Sequence, residues 1–444
     1  MINSFPYLLL CLLGAILFIV ILTAKFRVPA FFALIAASFF VGIIVQMPLA
    51  DILNAIKDGF GNIMKSLGLI IVMGTTLGVV LEHNGSISMM SDFIIRKMGK
   101  KYIVLSMNII GFIVGMPVFC DSGFIILSSL NKSISRQAAI SPLVTSISLA
   151  TGLLSVHCLI PPHPGASAAA ALLEVDFGKL LLAGIIIAIP ASFVGYLWAV
   201  YAGKKNHVEL SEEEEIKVST SVQPSTLQAF LPIVVPVLLM AVRSLSTWEK
   251  SSPGLLYNIL FATGEPVIAL SIGVLLALIS WKEKKIKMLS KLLSEGAEKA
   301  GGILVIIGAG GAFGAILTGM HFGEHFSKVL PLASMGILFP FLITLLLKTA
   351  QGSSTVAIIT AASLVQPSLP LLGLNSDNGR LLCVLSMGAG SMIISHANDA
   401  YFWVIARFSS IETRAMFRSY TPATLWMGLV SFGLVCILSL LLPH

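Results

Sequence analysis

Long apolar runs dominate the chain, interrupted at intervals by short basic or turn-forming stretches. Crossing a bilayer takes ~20 apolar residues in a helix. Runs near that length fall at about 7–24, 28–46, 67–82, 138–160, 177–202, 228–247, 256–281, 300–319, 380–397 and 421–442. Two further stretches, 103–134 and 330–368, each hold two apolar pieces around a small or polar tip. The first tip reads Phe119-Cys120-Asp121-Ser122-Gly123, and the second Thr349-Ala350-Gln351-Gly352-Ser353-Ser354-Thr355. Each pattern predicts a helical hairpin that enters and leaves on one side.

Two of the apolar runs end in chemistry that a lipid-facing helix does not tolerate. Ser155-Val156-His157-Cys158-Leu159-Ile160 runs into Pro161-Pro162-His163-Pro164-Gly165, and the run at 380–397 closes on Ser395-His396-Ala397-Asn398-Asp399. Backbone that leaves the helix at membrane depth survives only when buried in protein or lining a wet cavity. The prolines cannot continue a helix, and Ala166-Ser167-Ala168-Ala169 then restarts one. Such discontinuous helices at matching places in two halves point to a secondary transporter's binding site. The alternative reading of the first break is a Pro-rich cap in an extracytoplasmic loop.

Composition fits the pattern. The 444 residues are 56% hydrophobic and 11% charged, against about 25% charged in soluble domains. The net charge of +7 sits mostly in short loops between helices, not in a basic stripe interleaved with aromatics, so nucleic acid is not an expected partner. Cys11, Cys120, Cys158, Cys383 and Cys436 are scattered, which supports neither a disulfide framework nor a zinc site. The run from Tyr7 to Ala24 lacks a basic leader and an A-x-A-like exit, so it is expected to stay as a membrane helix. Hydrolase motifs are missing, no cofactor is implied, and Ile307-Gly308-Ala309-Gly310-Gly311 reads as close helix packing, not a phosphate loop.

Basic loops assign the sides. Placing Lys25/Arg27, Arg96 to Lys101, Lys132/Arg136, Lys204-Lys205, Lys282 to Lys291 and Arg407/Arg414/Arg418 in the cytoplasm puts both termini outside. It also makes the two hairpins dip in from opposite faces. Lys65-Ser66-Leu67-Gly68-Leu69-Ile70-Ile71-Val72-Met73-Gly74 aligns without a gap on Lys299-Ala300-Gly301-Gly302-Ile303-Leu304-Val305-Ile306-Ile307-Gly308. The expected fold is therefore an all-α polytopic membrane protein, an inverted repeat of about five spanning helices plus one hairpin per half, with discontinuous helices. The first repeat covers 1–202, with hairpin 103–134 and broken helix 138–171; the second covers 228–444, with hairpin 330–368 and broken helix 380–405. The hydrophilic stretch 203–227, with its acidic run Glu212 to Glu215, is the linker.

The candidate site follows from these interruptions. Ser122, His157, His163, Gly352, Ser353, Ser354, Thr355, His396 and Asn398 are the substrate-binding candidates; hydroxyls, amides and imidazoles offer both donors and acceptors to a hydroxylated anion. Asp121, His157, His396 and Asp399 are the candidates for carrying a proton. Intramembrane carboxylates are functional hypotheses by default. Asp121 could equally cap its hairpin, Asp399 could mark a solvated helix end, and His157 could be a packing residue.

These same residues resemble the gluconate:proton symporter (gluconate permease) family. The landmarks are Val156-His157 leading into Pro161-Pro162-His163-Pro164, Ile306 to Phe313, Gly352-Ser353-Ser354-Thr355-Val356-Ala357, and Ser395-His396-Ala397-Asn398-Asp399 with Phe402-Trp403. The early Phe31-Phe32-Ala33-Leu34 run with Val41-Gly42 fits as well. The resemblance implies proton-driven import of gluconate or a related sugar acid across a bacterial cytoplasmic membrane. Some relatives instead take small hydroxy-carboxylates or D-serine. It also implies a homodimer whose transport domain moves as an elevator. One departure stands out: gluconate-type members carry a glutamate followed by Val-Gly at the first hairpin tip, where this chain has Asp121-Ser122-Gly123.

Overall fold

The computed structural model describes residues 5–205, 224–245, 255–281, 286–319, 335–397 and 399–442. Most of the expected linker, the start of the second hairpin and Asn398 lie outside the described residues. The first half supplies α1 (Phe5–Val20, continued by a π turn Ile21–Lys25), α2 (Ala30–Ile44), α3 (Leu49–His83), α4 (Ser86–Met98), α5 (Ile103–Gly115), α6 (Cys120–Gln137), α7 (Pro142–Leu159), α8 (Pro164–Leu172) and α9 (Phe177–Lys205). The second supplies α10 (Thr226–Leu245), α11 (Leu255–Thr263), α12 (Pro266–Ile279), α13 (Ile286–Gly319), α14 (Leu338–Gln351), α15 (Ser354–Val365), α16 (Asp377–Met392), α17 (Ala400–Phe408) and α18 (Thr413–Leu441). No strand occurs among the described residues.

Two helices are longer than their apolar runs predict. α3 begins at Leu49 and α13 at Ile286, well before the runs at 67–82 and 300–319. Their early turns bury one narrow stripe, Ile52, Gly59 and Ile63 in α3 and Leu292, Gly296 and Ala300 in α13. Charged, polar and small residues occupy most of the exposed positions, so average hydropathy hides a helical period that side-chain spacing reveals.

These long helices pack against each other in opposite directions. A Cβ at Gly59 would collide with the Gly311 carbonyl, and one at Gly311 would lie 2.6 Å from the Gly59 carbonyl. Further along, Gly296 abuts Thr76, and His83 lies 3.8 Å from Glu295. Numbers rise along one helix as they fall along the other, as an inverted repeat requires. The flanking helices obey the same exchange, with α2 packed on α13 and α12 on α3.

Contacts between distant segments join residues that the loop charges assign to one face. On the face carrying the N-terminus, the Tyr7 hydroxyl donates to the Ile44 carbonyl (2.6 Å), and Arg380 pairs with Glu174 (2.6 Å). On the other, Lys132 reaches Ser410 (3.4 Å) and Trp198 Nε1 donates to the Ser419 carbonyl (2.9 Å). The α7–α8 unit is almost wholly enclosed by protein, whereas α10 and α18 turn most of their apolar surface outward. The first discontinuous helix therefore sits at the centre, and α10 and α18 form part of the wall.

Candidate functional site

Each interruption has a local cause. α5 stops at Gly115 ahead of Pro117, whose carbonyl lies against Gly78, and α6 restarts at Cys120. α7 ends as Ile160 turns extended before a cis Pro161–Pro162 bond, and α8 begins on Pro164, which suits a first helical position. Gly352 closes α14 with φ 81°, a left-handed conformation that glycine adopts freely. Ser353 then caps α15, its Oγ accepting from the Val356 N–H (3.3 Å). After α16, Ile394 (φ 55°) bends the chain, and Asp399 caps α17 by accepting from the Tyr401 N–H (3.0 Å). The unwound backbone between them is satisfied by α18: the Ser395 N–H donates to Thr424 Oγ1 (3.0 Å) and the Thr421 hydroxyl to the Ser395 carbonyl (2.7 Å).

These four restarts face one cavity of about 550 Å³. α6 contributes Cys120, Asp121 and Ser122; α8 contributes Pro164, with Leu154 and His157 of α7 beside it. The second hairpin contributes Gln351 to Val356, α17 contributes Asp399, Ala400 and Tyr401, and α13 adds Lys299, Ile303 and Ile306. Helix N-termini present unpaired N–H groups and roughly half a positive charge each. Four of them, two from each half, converge on the same space. That arrangement is suited to an anion.

Of the candidates, Asp121, Ser122, His157, Gly352, Ser353, Ser354, Thr355 and Asp399 line the cavity. His157 Nε2 lies 3.3 Å from the Thr355 hydroxyl, linking the first broken helix to the second hairpin. His163 stands behind the cavity, its Nε2 donating to the Gly115 carbonyl (2.5 Å) and its ring 5.0 Å from that of His157. His396 lies off the lining, with Nε2 3.2 Å from the Thr349 carbonyl. The side-chain amide of Gln351 and Nδ1 of His157 are buried without a hydrogen-bond partner among the described residues.

The two carboxylates differ in company. Asp399 Oδ2 lies 2.6 Å from Lys348 Nζ and also accepts from the Ser395 hydroxyl. Among the described residues, Asp121 is met by the Cys120 thiol, 3.7 Å from Oδ1, and by no Lys or Arg within ion-pair distance. Sequence reasoning passed over Lys348 and Lys299. Lys348 announced itself as a lysine inside the run Leu345-Leu346-Leu347, four residues before Gly352. Lys299 aligns with Lys65 in the repeat but went unread as a cavity residue, where it pairs with Glu295 (2.9 Å) and Glu82 (3.7 Å).

Comparison with known proteins agrees with this architecture. The sequence pattern of the GntP family permeases matches residues 7–441. A gluconate permease from Pseudomonas aeruginosa is 32% identical, the match covering 98% of each chain. The D-serine transporter DsdX of Escherichia coli is 30% identical over 97% of this chain and 98% of its own. Among solved structures, the YdaH transporter of Alcanivorax borkumensis superposes with a TM-score of 0.60, covering 85% of this chain and 86% of its own, at 14% identity, a likeness of fold alone. The chain belongs to the GntP permease family and is a multi-pass membrane transporter, not an enzyme.

Proposed function

We infer that the protein is a proton-coupled symporter importing gluconate or a related sugar acid across the cytoplasmic membrane, with both termini outside. The observation that carries this reading is the convergence of four helix N-termini on one cavity that also offers hydroxyls, an unpartnered amide and an imidazole. A small carboxylate would sit among N–H groups while its hydroxyls meet Ser122, Thr355, Gln351 and His157. Asp121 supplies the coupling. Its carboxylate shares the cavity with an incoming anion, and the two charges repel; a proton on Asp121 removes that repulsion, so anion and proton bind together. Asp399 is less suited to the task, because Lys348 already balances it.

The antiparallel α3–α13 pair, with α2 and α12 packed across it, supports a static frame formed by both repeats, 1–202 and 228–444. The hairpins and broken helices would move against that frame as an elevator, in a homodimer. Asp121 also favours a second reading, a carrier for D-serine or a short hydroxy acid, since a carboxylate without a cation partner can receive an amino group. Uptake into proteoliposomes separates the two. Labelled gluconate should accumulate under an acid-outside pH gradient, lose that accumulation to a protonophore and ignore sodium. Displacement by D-serine but not by sugar acids selects the second reading. Accumulation that needs sodium and no pH gradient refutes proton coupling.

A further inference from the structure

We propose that the Lys348 ammonium is a tethered cation that latches the second hairpin to the second broken helix, occupying a place a free monovalent cation would take if the amine were removed. The side chain is 1% exposed, and lysine is almost never so buried unless paired. Its Nζ lies 2.7 Å from the Gly352 carbonyl and 2.6 Å from Asp399 Oδ2, the oxygen that also accepts from Ser395. The named acceptors are therefore a hairpin-tip carbonyl and a helix-cap carboxylate, both hard oxygens. The ammonium also stands at the C-terminal end of α14, where the helix dipole favours a cation. Carbonyls of unwound segments and helix C-termini coordinate sodium in carriers with broken helices. Here a covalently attached charge holds those groups.

A tie in the first half supports a latch over mere neutralisation of Asp399. At the corresponding place, His163 precedes α8 as Asp399 precedes α17, and its imidazole donates directly to the Gly115 carbonyl at the end of α5. Each half thus ties the last carbonyl of its hairpin's first helix to the residue that starts its broken helix. One tie is an imidazole N–H; the other is a carboxylate–ammonium bridge.

The inference takes its flux readout from the carrier reading, so the test includes a measurement that does not need transport. Lys348→Ala protein, purified and reconstituted, is assayed for gluconate counterflow in choline buffer and with added sodium, lithium or methylammonium. Its melting in detergent is recorded with the same salts. The wild type should ignore these cations in both assays. Lys348→Ala should lose at least tenfold in flux, recover saturably with sodium or methylammonium, and melt higher in their presence; adding Asp399→Asn should erase the response. Wild-type flux in Lys348→Ala, or indifference to every cation in both assays, overturns the proposal. If that variant does not fold, Lys348→Gln decides, since the amide keeps two donors but no charge: a tenfold loss upholds the latch and wild-type flux overturns it. Should the wild type move no gluconate, the gluconate reading fails while the melting shifts still judge the latch.

Discussion

Replacing Asp399 by Asn should destabilise the protein far more than losing one hydrogen bond would, and a second change should repair most of the damage. The pair is separated by 2.6 Å, and both side chains are buried. At an effective dielectric near 20, that separation corresponds to a Coulomb attraction of about 6 kcal/mol. Desolvation of both ions offsets much of it, so the intact pair contributes little net stability. Removing one partner is different, because the desolvation penalty of the survivor remains with nothing to oppose it; breaking such a pair costs ~3–5 kcal/mol. Asp399→Asn strands an ammonium beside Gly352, and Lys348→Met strands a carboxylate whose remaining partners among the described residues are Ser395 and the Tyr401 N–H. The double variant strands neither, retains an Asn that still suits the α17 cap, and fills the lysine's volume with an unbranched apolar chain. Melting of the purified protein in detergent, followed by tryptophan fluorescence or by monodispersity after heating, gives the order. Both single variants should melt well below the wild type, and the double variant should lie above either. If the double variant instead melts at the sum of the two losses, the pair is not coupled and the electrostatic reasoning is wrong.

Three further outcomes follow from the same geometry. Gly311→Leu should yield no monodisperse protein in detergent chromatography, because its side chain would be driven into Ile63 and the Gly59 carbonyl; Gly301→Ala, with open space around its Cβ, should elute as the wild type does. Asp121→Asn should abolish pH-driven accumulation of substrate while keeping counterflow, and equal loss of both would remove Asp121 from the coupling role. Lys299→Gln should raise the KM for an anionic substrate presented from the side on which Lys299 opens, with maximal rate little changed. The partly exposed, carboxylate-paired ammonium limits the change to about threefold to fivefold, corresponding to roughly 1 kcal/mol. An unchanged KM would place the substrate away from α13.

Much of this arrangement was legible in the chain because lipid enforces it. Backbone at membrane depth has no water to pair with, so Pro161-Pro162-His163-Pro164 and Gly352 betray their breaks without any tertiary information. The aligned lysines Lys65 and Lys299 expose the repeat. The early turns of α3 and α13 were hidden because their buried stripe is narrow and their other faces are mostly charged, polar or small. Lys348 was hidden for a different reason. A sequence shows that a lysine lies in an apolar run, but only the fold brings Gly352 and Asp399 to its Nζ, the latter 51 residues away. Conversely, His163 and His396 have the right chemistry at the right interruptions, yet their rings turn toward backbone carbonyls and away from the cavity lining.

The inverted repeat makes the site symmetric in backbone and asymmetric in charge, and the proposed proton coupling would rest on the second property. Four helix N-termini from two equivalent halves would attract an anion equally from either side. A site with that field alone would bind its substrate tightly and have no reason to release it. The side chains break the balance. In the second half, Lys348 balances Asp399, the carboxylate that caps α17 through the Tyr401 N–H. In the first half, His163 makes the equivalent tie with an imidazole, and Asp121 stands in the first turn of α6 with no Lys or Arg within ion-pair distance among the described residues. The carboxylate therefore opposes the same N-terminal dipoles that would hold the substrate. With Asp121 charged, the cavity would resist an anion; with Asp121 protonated, that repulsion would be removed. A single proton would thus switch the site between capture and release while the backbone that forms it stays the same.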